Sequence, residues 1–167
     1  GGDIWASRKK GKAYQQKAML DENINKNSIE IGASIYQEGD VIFFNSNKDG
    51  GVGGFDLYMA RKLPTGQFAE PMNLGPNVNT KYDEDYPVIS TDGTTLYFAS
   101  KGHSNMGGYD IFKSVWNAEE RAFGPAVNLG YPINTPDDNM TISFTSNGRN
   151  AYVSASREGG IGDLDLY

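Results

Sequence analysis

Carboxylates form the densest group of side chains in this sequence that could do chemistry. Asp83, Glu84 and Asp85 are consecutive, and Asp137 and Asp138 occur in a similar context further along the chain. Several carboxylate oxygens together can bind a hard cation such as Ca²⁺, and two carboxyl groups can act as general acid and general base. Adjacent carboxylates near the start of a strand point in different directions, however, and a run of charges usually lies on a solvated surface. We therefore interpret both acidic runs as surface features.

Two glycine-rich segments nearly match a nine-residue repeat that binds calcium in parallel β-helices. They are residues 50–56 and 159–165, and they end in Asp56 and Asp165. One residue is inserted relative to that nonapeptide, and no stack of nine-residue turns supplies ligands from both sides. We interpret the glycines as positions of positive φ and close backbone approach, and the aspartates as acceptors for nearby amides. We expect no metal and no cofactor.

His103 is the only histidine, and the chain has no cysteine. Multi-histidine metal sites, disulfides, thiolate metal sites and cysteine nucleophiles are therefore excluded. Nucleophilic catalysis by His103 would need a carboxylate or serine from elsewhere in the fold. We expect no catalytic residue and place His103 in a surface loop.

The composition favours short strands joined by tight turns. Of 167 residues, 21 are glycine and 38% are hydrophobic, which is enough apolar material for a core. The 15 basic and 21 acidic residues give a net charge of −6 without a long basic run, so nucleic acid is a poor candidate partner. No segment approaches the roughly 18 consecutive apolar residues of a membrane-spanning helix, so we expect no direct membrane insertion.

A short motif, in which Asp is followed by an aliphatic and an aromatic residue, occurs four times. The aspartates are Asp3, Asp56, Asp110 and Asp165, which lie 53, 54 and 55 residues apart. A second block repeats with an offset of 55, because Asn73-Leu74-Gly75 is matched by Asn128-Leu129-Gly130 and residues 78–80 by residues 133–135. We interpret Asp3, Asp56, Asp110, Asp165, Asn73 and Asn128 as structural residues of the repeat.

Each period contains about four strand-like segments, which in the middle unit are residues 86–90, 95–100, 109–115 and 122–128. Asp92-Gly93 and Asn147-Gly148 predict hairpins with tight primed turns. Four antiparallel strands repeated about every 54 residues predict an all-β fold, the β-propeller with four-stranded blades. A β-sandwich would not require the same motif four times. The predicted divisions are a partial blade at 1–28, blades at 29–73 and 85–128, and a partial blade at 139–167.

Together these blocks resemble the TolB-type, WD-repeat-like propeller repeats of Gram-negative envelope proteins. The matching segments include Leu-Tyr-Phe-Ala-Ser at 96–100 and Gly-Gly-Tyr-Asp-Ile-Phe at 107–112, and the likeness is weak only between residues 7 and 28. The sequence is especially similar to the form of these repeats in OmpA-family lipoproteins. Some members of that group are components of the type IX secretion apparatus. The resemblance implies a periplasmic, outer-membrane-associated protein-interaction scaffold. The chain contains no OmpA-like segment, so peptidoglycan binding would belong to a domain outside it.

The chain begins within one strand of the repeat and stops within the equivalent strand of a later repeat. Closed propellers typically have about four to eight blades, so three repeats would leave sheet faces and edges uncovered. We expect a longer protein, with six blades by resemblance, or a homodimer that completes one ring.

The loops after the second and fourth strands of a blade emerge on the same rim, and loops on a rigid scaffold often bind partners. These loops are residues 73–85, 101–107, 128–140 and 156–162. The predicted partner-binding residues are those in them that differ between units: Tyr82, Asp83, Glu84, Asp85, His103, Asn105, Tyr131, Asp137 and Asp138.

The sequence thus predicts a non-catalytic scaffold that binds envelope proteins. One alternative is a glycan- or peptidoglycan-binding module that uses Tyr82, Tyr86 or Tyr131 as sugar platforms. The other is the accessory propeller of a hydrolase whose catalytic domain lies outside this chain.

Overall fold

The computed structural model describes residues 2–167, and its regular structure is almost entirely β-strand. One turn of 3-10 helix, Gln37–Gly39, is the exception, and residues 2–167 contain no α-helix. The strands are β1 Trp5–Ala6, β2 Lys9–Lys10, β3 Ala13–Tyr14, β4 Ala18–Met19, β5 Glu30–Tyr36, β6 Val41–Ser46, β7 Asp56–Arg61, β8 Met72–Asn73, β9 Glu84–Ile89, β10 Thr95–Ser100, β11 Asp110–Asn117, β12 Ala122–Phe123, β13 Val127–Asn128, β14 Asn139–Phe144, β15 Ala151–Ala155 and β16 Asp165–Leu166. The predicted all-β class is confirmed. None of the helical residues in this part of the chain forms a segment long and apolar enough to cross a membrane.

The strands form three larger antiparallel sheets in which neighbours along the chain pair with each other. The first sheet has the order β5-β6-β7-β8, the second has β9-β10-β11 with β12 and β13 both paired to β11, and the third has β14-β15-β16. Near the N-terminus β1 pairs with β4, and β2 with β3. The repeat therefore predicted the first three strands of the middle unit closely, because turn residues delimit each one, whereas the strand predicted at 122–128 is two short strands, β12 and β13.

Both predicted hairpins are present, but their turns are not of the primed type. Gly93 has a φ of +73° and donates its N–H to the Ser90 carbonyl at 2.9 Å, and Gly148 has a φ of +65° with an equivalent bond to Thr145 at 2.8 Å. Asp92 does not have positive φ. Its carboxylate instead accepts the Thr94 N–H at 3.0 Å, so a side chain stabilises an ordinary turn that ends in a left-handed glycine.

The core consists of apolar layers between successive sheets rather than one central cluster. Phe43 and Met59 of the first sheet pack with Leu96, Phe98 and Phe112 of the second. A second layer joins residues of the N-terminal segment outside its strands, including Ile4, Leu20 and Ile24, to the first sheet, and a third joins the second sheet to the third. Because strand side chains alternate between faces, a middle sheet can contribute to two layers at once.

The sheets curl so that their first strands adjoin. The strand β9 packs against β5 and β6 of the preceding sheet and against β14 of the following one. This arrangement brings the ends of the three sheets close together and positions the loops considered next.

Candidate functional site

The repeated aspartates anchor the glycine-rich loops. Asp56 accepts the N–H of Val52 at 2.5 Å and that of Gly53 at 2.9 Å, and the Asn73 side-chain amide donates to it at 2.8 Å. These three bonds close the loop that precedes β7. They account for the repeat of Asp with a later Asn, since both residues are needed for one hydrogen-bonded unit.

The same arrangement recurs in the later units. Asp110, which is fully buried, accepts the N–H of Met106 at 2.5 Å and the side-chain amide of Asn128 at 2.8 Å. Asp165 accepts the N–H of Ile161 at 2.7 Å. In these units the aspartate carboxylate therefore holds the backbone of the loop that precedes its own strand. Asp3 departs from the pattern, because it is exposed and its carboxylate forms no hydrogen bond within residues 2–167.

A second repeated residue, which the sequence showed but to which we assigned no role, fastens each loop to the sheet. Asn79 accepts the Leu57 N–H at 2.8 Å and donates to the Leu57 carbonyl at 2.9 Å. Asn134 bonds both backbone groups of Ile111 in the same way. Asn25 holds the backbone of Ile4 likewise, so the N-terminal segment keeps this feature although it lacks the Asn-Leu-Gly block.

Close approach, rather than positive φ, explains the glycines at positions 53 and 107, which are equivalent in successive units. A Cβ on Gly53 would lie 2.0 Å from the Tyr82 carbonyl oxygen, and one on Gly107 would lie 1.9 Å from that of Pro136. Neither glycine has positive φ, whereas Gly50 does, at +87°. The glycine-rich loop of one unit is therefore pressed directly against the long loop of the next.

The predicted loops meet on one side of the molecule, which we call the loop rim (residues 73–85, 101–107, 128–140 and 156–162). The Lys101 ammonium lies 2.8 Å from the Asp83 carboxylate, and the His103 Nε2 lies 2.9 Å from the Val78 carbonyl oxygen. The structure thus brings the loops after the second and fourth strands together.

Glu84 and Asp85 are not surface residues, which corrects the interpretation of the acidic run. Glu84 is fully buried and accepts hydrogen bonds from the Thr80 N–H at 2.8 Å, the Thr80 hydroxyl at 2.7 Å and the Ser100 hydroxyl at 2.7 Å. Burial raises the pKa of Glu84. Glu30 makes the corresponding bond to Ser46, so a buried carboxylate paired with serine is a feature of two units. Glu84 and Asp85 both belong to β9, which is covered by strands of the neighbouring sheets.

Asp85 joins three segments of the chain in a buried network. The hydroxyl of Tyr109 and the side-chain amide of Asn45 both donate to its carboxylate. Burial raises the pKa of Asp85, and burial next to that carboxylate raises the pKa of Tyr109. The Lys101 ammonium lies 4.6 Å from the centre of the Tyr109 ring. Sequence reasoning missed Asn45 and Tyr109, which lie 40 and 24 residues from Asp85.

His103 and Asn105 organise their own loop. The His103 ring is half-buried and lies 5.1 Å from the Phe112 ring, and the Asn105 amide donates to the carbonyls of Lys101, Gly107 and Gly108. These contacts fix the shape of the loop, in which His103 is half-buried and Asn105 stays exposed.

The predicted binding residues that face solvent are two tyrosines, Asn105 and the acidic side chains of the second run. Tyr82 is 49% exposed and Tyr131 is 80% exposed. Asp137 and Asp138 are exposed, and Asp138 also accepts the Tyr109 N–H at 2.8 Å. Asp83 is half-buried between Lys101 and the backbone of the preceding unit. Within residues 2–167, no three carboxylate or histidine side chains are placed to hold a metal ion.

No protein-family model matches the chain, and a search of curated proteins finds no significant match.

Proposed function

We propose that residues 2–167 are part of a β-propeller that serves as a non-catalytic protein-interaction scaffold. Sheets of three to five strands, repeated along the chain, pack face to face with apolar layers between them. Their first strands adjoin, as the innermost strands of propeller blades do. These features support the propeller over a two-layered sandwich, in which each sheet would contribute to one layer only.

The third sheet supports a further blade packed on its free face. Tyr152 and Leu166 are 48% and 70% exposed, whereas their counterparts in the second sheet, Tyr97 and Ile111, pack in the layer against the third sheet. In the second unit, the equivalent apolar face is covered by the sheet that follows it. The exposed face of the third sheet therefore matches a surface that another sheet would cover.

The functional proposal rests on side chains that face solvent and differ between units. They lie on loops that are held firmly to the sheets. The loop rim presents Tyr82, Tyr131, Asp137 and Asp138, while Asn79 and Asn134 hold the loops beneath them to the sheets. Aromatic side chains with few rotatable bonds make effective contacts in protein interfaces, and rigid loops lose little entropy on binding. We infer an envelope protein as the partner, and a periplasmic, outer-membrane-associated location, from the resemblance to envelope propellers.

Site-directed photo-crosslinking in the source cells tests this proposal. A benzoylphenylalanine at position 131 or 82 is expected to capture envelope proteins, and the exposed Tyr14, in β3, gives a matched aromatic control position. Asp137→Lys should reduce the yield of the rim crosslinks, because it reverses an exposed charge without changing the fold. Equal capture from position 14, or none from either rim position, would contradict the proposal.

The exposure of Tyr131 also favours a second candidate, a glycan-binding rim. An exposed tyrosine ring can stack on the apolar face of a sugar, and Tyr82 has the Lys81 ammonium 5.1 Å from its ring centre. Binding of the purified protein to a glycan array, lost in Tyr131→Ala and retained in Tyr14→Ala, would support this function instead.

A further inference from the structure

The hairpin formed by residues 4–20 differs sharply in charge from the rest of the chain. It contains five of the 15 basic residues and none of the 21 acidic ones, and the five are Arg8, Lys9, Lys10, Lys12 and Lys17. The remaining 10 basic and 21 acidic residues give the rest of the chain a net charge of −11. A cationic segment on an acidic protein is a surface for an anionic partner. We call residues 8–17 the basic hairpin.

The basic hairpin is fastened to the molecule at one end. At its base, Ile4 and Leu20 pack against the apolar layer of the first sheet, and the Leu20 N–H donates to the Ile4 carbonyl at 3.1 Å. Further out, β2 pairs with β3 up to the turn, where Gly11 has a φ of +64°. The hairpin is therefore held together by its own backbone hydrogen bonds and projects from a fixed base.

Aromatic side chains accompany the charges. Tyr14 is the cross-strand neighbour of Lys9, and the Lys17 ammonium lies 5.0 Å from the centre of the Trp5 ring. Every residue from 5 to 19 is exposed, with Trp5 at 50% and Tyr14 at 71%. Exposed Trp and Tyr rings beside long cationic side chains are typical of surfaces at a membrane–water interface.

The positive charge of the basic hairpin is not neutralised by neighbouring carboxylates. None of its five basic side chains forms an ion pair within residues 2–167. Glu38 and Asp40 line an open cleft of about 870 Å³ at the side of the hairpin, but Arg8, Lys9 and Lys62 line it too, so cations outnumber carboxylates there. The three other lysines of the hairpin lie outside this lining.

The choice of basic residue favours a lipid surface over an acidic protein. Four of the five cations are lysine, which is depleted in protein interfaces, whereas arginine provides the planar group that pairs with carboxylates at two points. Clusters of about four to eight Lys or Arg are typical of segments that bind anionic lipids, where a diffuse positive charge suffices. A two-stranded hairpin with no covered face also offers no pocket for a protein side chain.

We propose that the basic hairpin adsorbs to the surface of an anionic phospholipid bilayer. The five cationic groups lie among the lipid phosphates, Tyr14 lies at the level of the headgroups, and no part of the hairpin crosses the bilayer. The hairpin connects β1 to β4, which occupy the places of the third and fourth strands of the later sheets, so it lies at the end of the sheet opposite to the loop rim. Repulsion of the acidic remainder of the chain keeps the hairpin towards the membrane and the loop rim away from it. The proposal does not depend on what the loop rim binds, so either can fail while the other holds.

Co-sedimentation of the purified protein with lipid vesicles tests the proposal. We expect binding to phosphatidylcholine vesicles that contain about one-third phosphatidylglycerol, and none to pure phosphatidylcholine. The double variant Lys10→Glu, Lys12→Glu should bind the anionic vesicles at least about tenfold more weakly, because each basic residue near the surface contributes about a tenfold factor or somewhat less. Lys10→Arg, Lys12→Arg should bind as wild type, since it preserves the charge.

The double variant Lys26→Glu, Lys81→Glu is the matched control. It makes the same change of net charge at exposed positions in the loops that follow β4 and β8, away from the hairpin, and should bind nearly as wild type. Raising the salt from about 0.05 M to about 0.5 M should release the protein, because exposed charges are screened. Circular dichroism and thermal unfolding of each variant verify that loss of binding does not reflect loss of folding.

Four results would overturn the proposal: no binding to the anionic vesicles, equal binding to neutral vesicles, equal loss in the two charge-reversal variants, or binding that salt leaves unchanged. A benzoylphenylalanine at position 14 should crosslink to lipid on the anionic vesicles. That position therefore remains a control for capture of envelope proteins by the loop rim.

Discussion

Replacing Gly107 by alanine tests whether the loops of successive units are pressed together. The new Cβ would lie 1.9 Å from the Pro136 carbonyl oxygen and 2.5 Å from its carbon. Both are backbone atoms, so no side chain can turn away to make room. Gly107 does not have positive φ, so alanine adopts its conformation without strain, and the contact is the only cost.

The expected destabilisation follows from the movement that relieves this contact. Ordinary contact begins at 3.4 Å, so the loop at 128–140 must move by about 1.5 Å. That movement breaks the Tyr109 N–H bond to Asp138 at 2.8 Å and the Asn139 N–H bond to the Tyr109 carbonyl at 2.7 Å. Two lost bonds at about 0.5–1.5 kcal/mol each, together with about 1–3 kcal/mol of overpacking, give a loss of about 2–6 kcal/mol. Alanine recovers only about 0.4–1 kcal/mol through the unfolded state.

Urea denaturation gives the free energy of unfolding, and Gly162→Ala is the matched control. Gly162 lies 55 residues after Gly107, but its nearest neighbour to an added Cβ, the Asp165 carboxylate, is 3.8 Å away. We expect Gly162→Ala to change stability by less than about 1 kcal/mol. If the two variants unfold at the same urea concentration with equal m values, close packing of the loops is not what the glycine serves.

Three further predictions concern the buried carboxylates and metal binding. Asp110→Ala should lower the free energy of unfolding by about 1–3 kcal/mol, while the exposed Asp3→Ala changes it by less than about 0.5 kcal/mol; equal effects in thermal unfolding would refute the anchoring role. Because burial raises the pKa of Asp85, the folded protein holds that proton more tightly than the unfolded chain does, so the favourable contribution is present at low pH and lost as pH rises through the folded-state pKa. Wild type should therefore gain stability relative to Asp85→Asn as pH falls from about 7 to about 4, and a difference that is constant over this range would contradict the assignment. Calcium at about 5 mM should shift the midpoint of thermal unfolding by less than about 1 °C, and a larger rise that chelator reverses would show a site.

Features that repeat within the chain were predictable from the sequence. The strand at Thr95–Ser100 and the loop-anchoring role of Asp56 and Asp110 follow from local patterns, since their hydrogen bonds join residues of one unit. Asn79 and Asn134 occupy equivalent positions in the same repeat, each directly after an aliphatic residue. That repeated pair was the available signal that an asparagine fastens the loop to a buried strand.

Features that depend on contact between units were not predictable in this way. Asp83, Glu84 and Asp85 are three adjacent carboxylates, yet the first is half-buried beside Lys101 while the other two are buried. Alternation along the strand sends them in different directions, and only the packing of sheets decides which directions face water.

The sequence by itself determined the all-β class, the period of about 54 residues and the hydrogen bonds that close each unit, because these depend on residues near one another in the chain. Tertiary structure decided the burial of Glu84 and the network of Asp85 with Asn45 and Tyr109. That network joins the first sheet to the second, and β9, which carries both carboxylates, is covered by strands of the neighbouring sheets. Burial and charge pairing depend on which surface covers a side chain, and a repeat that specifies one sheet does not specify what its neighbour presents.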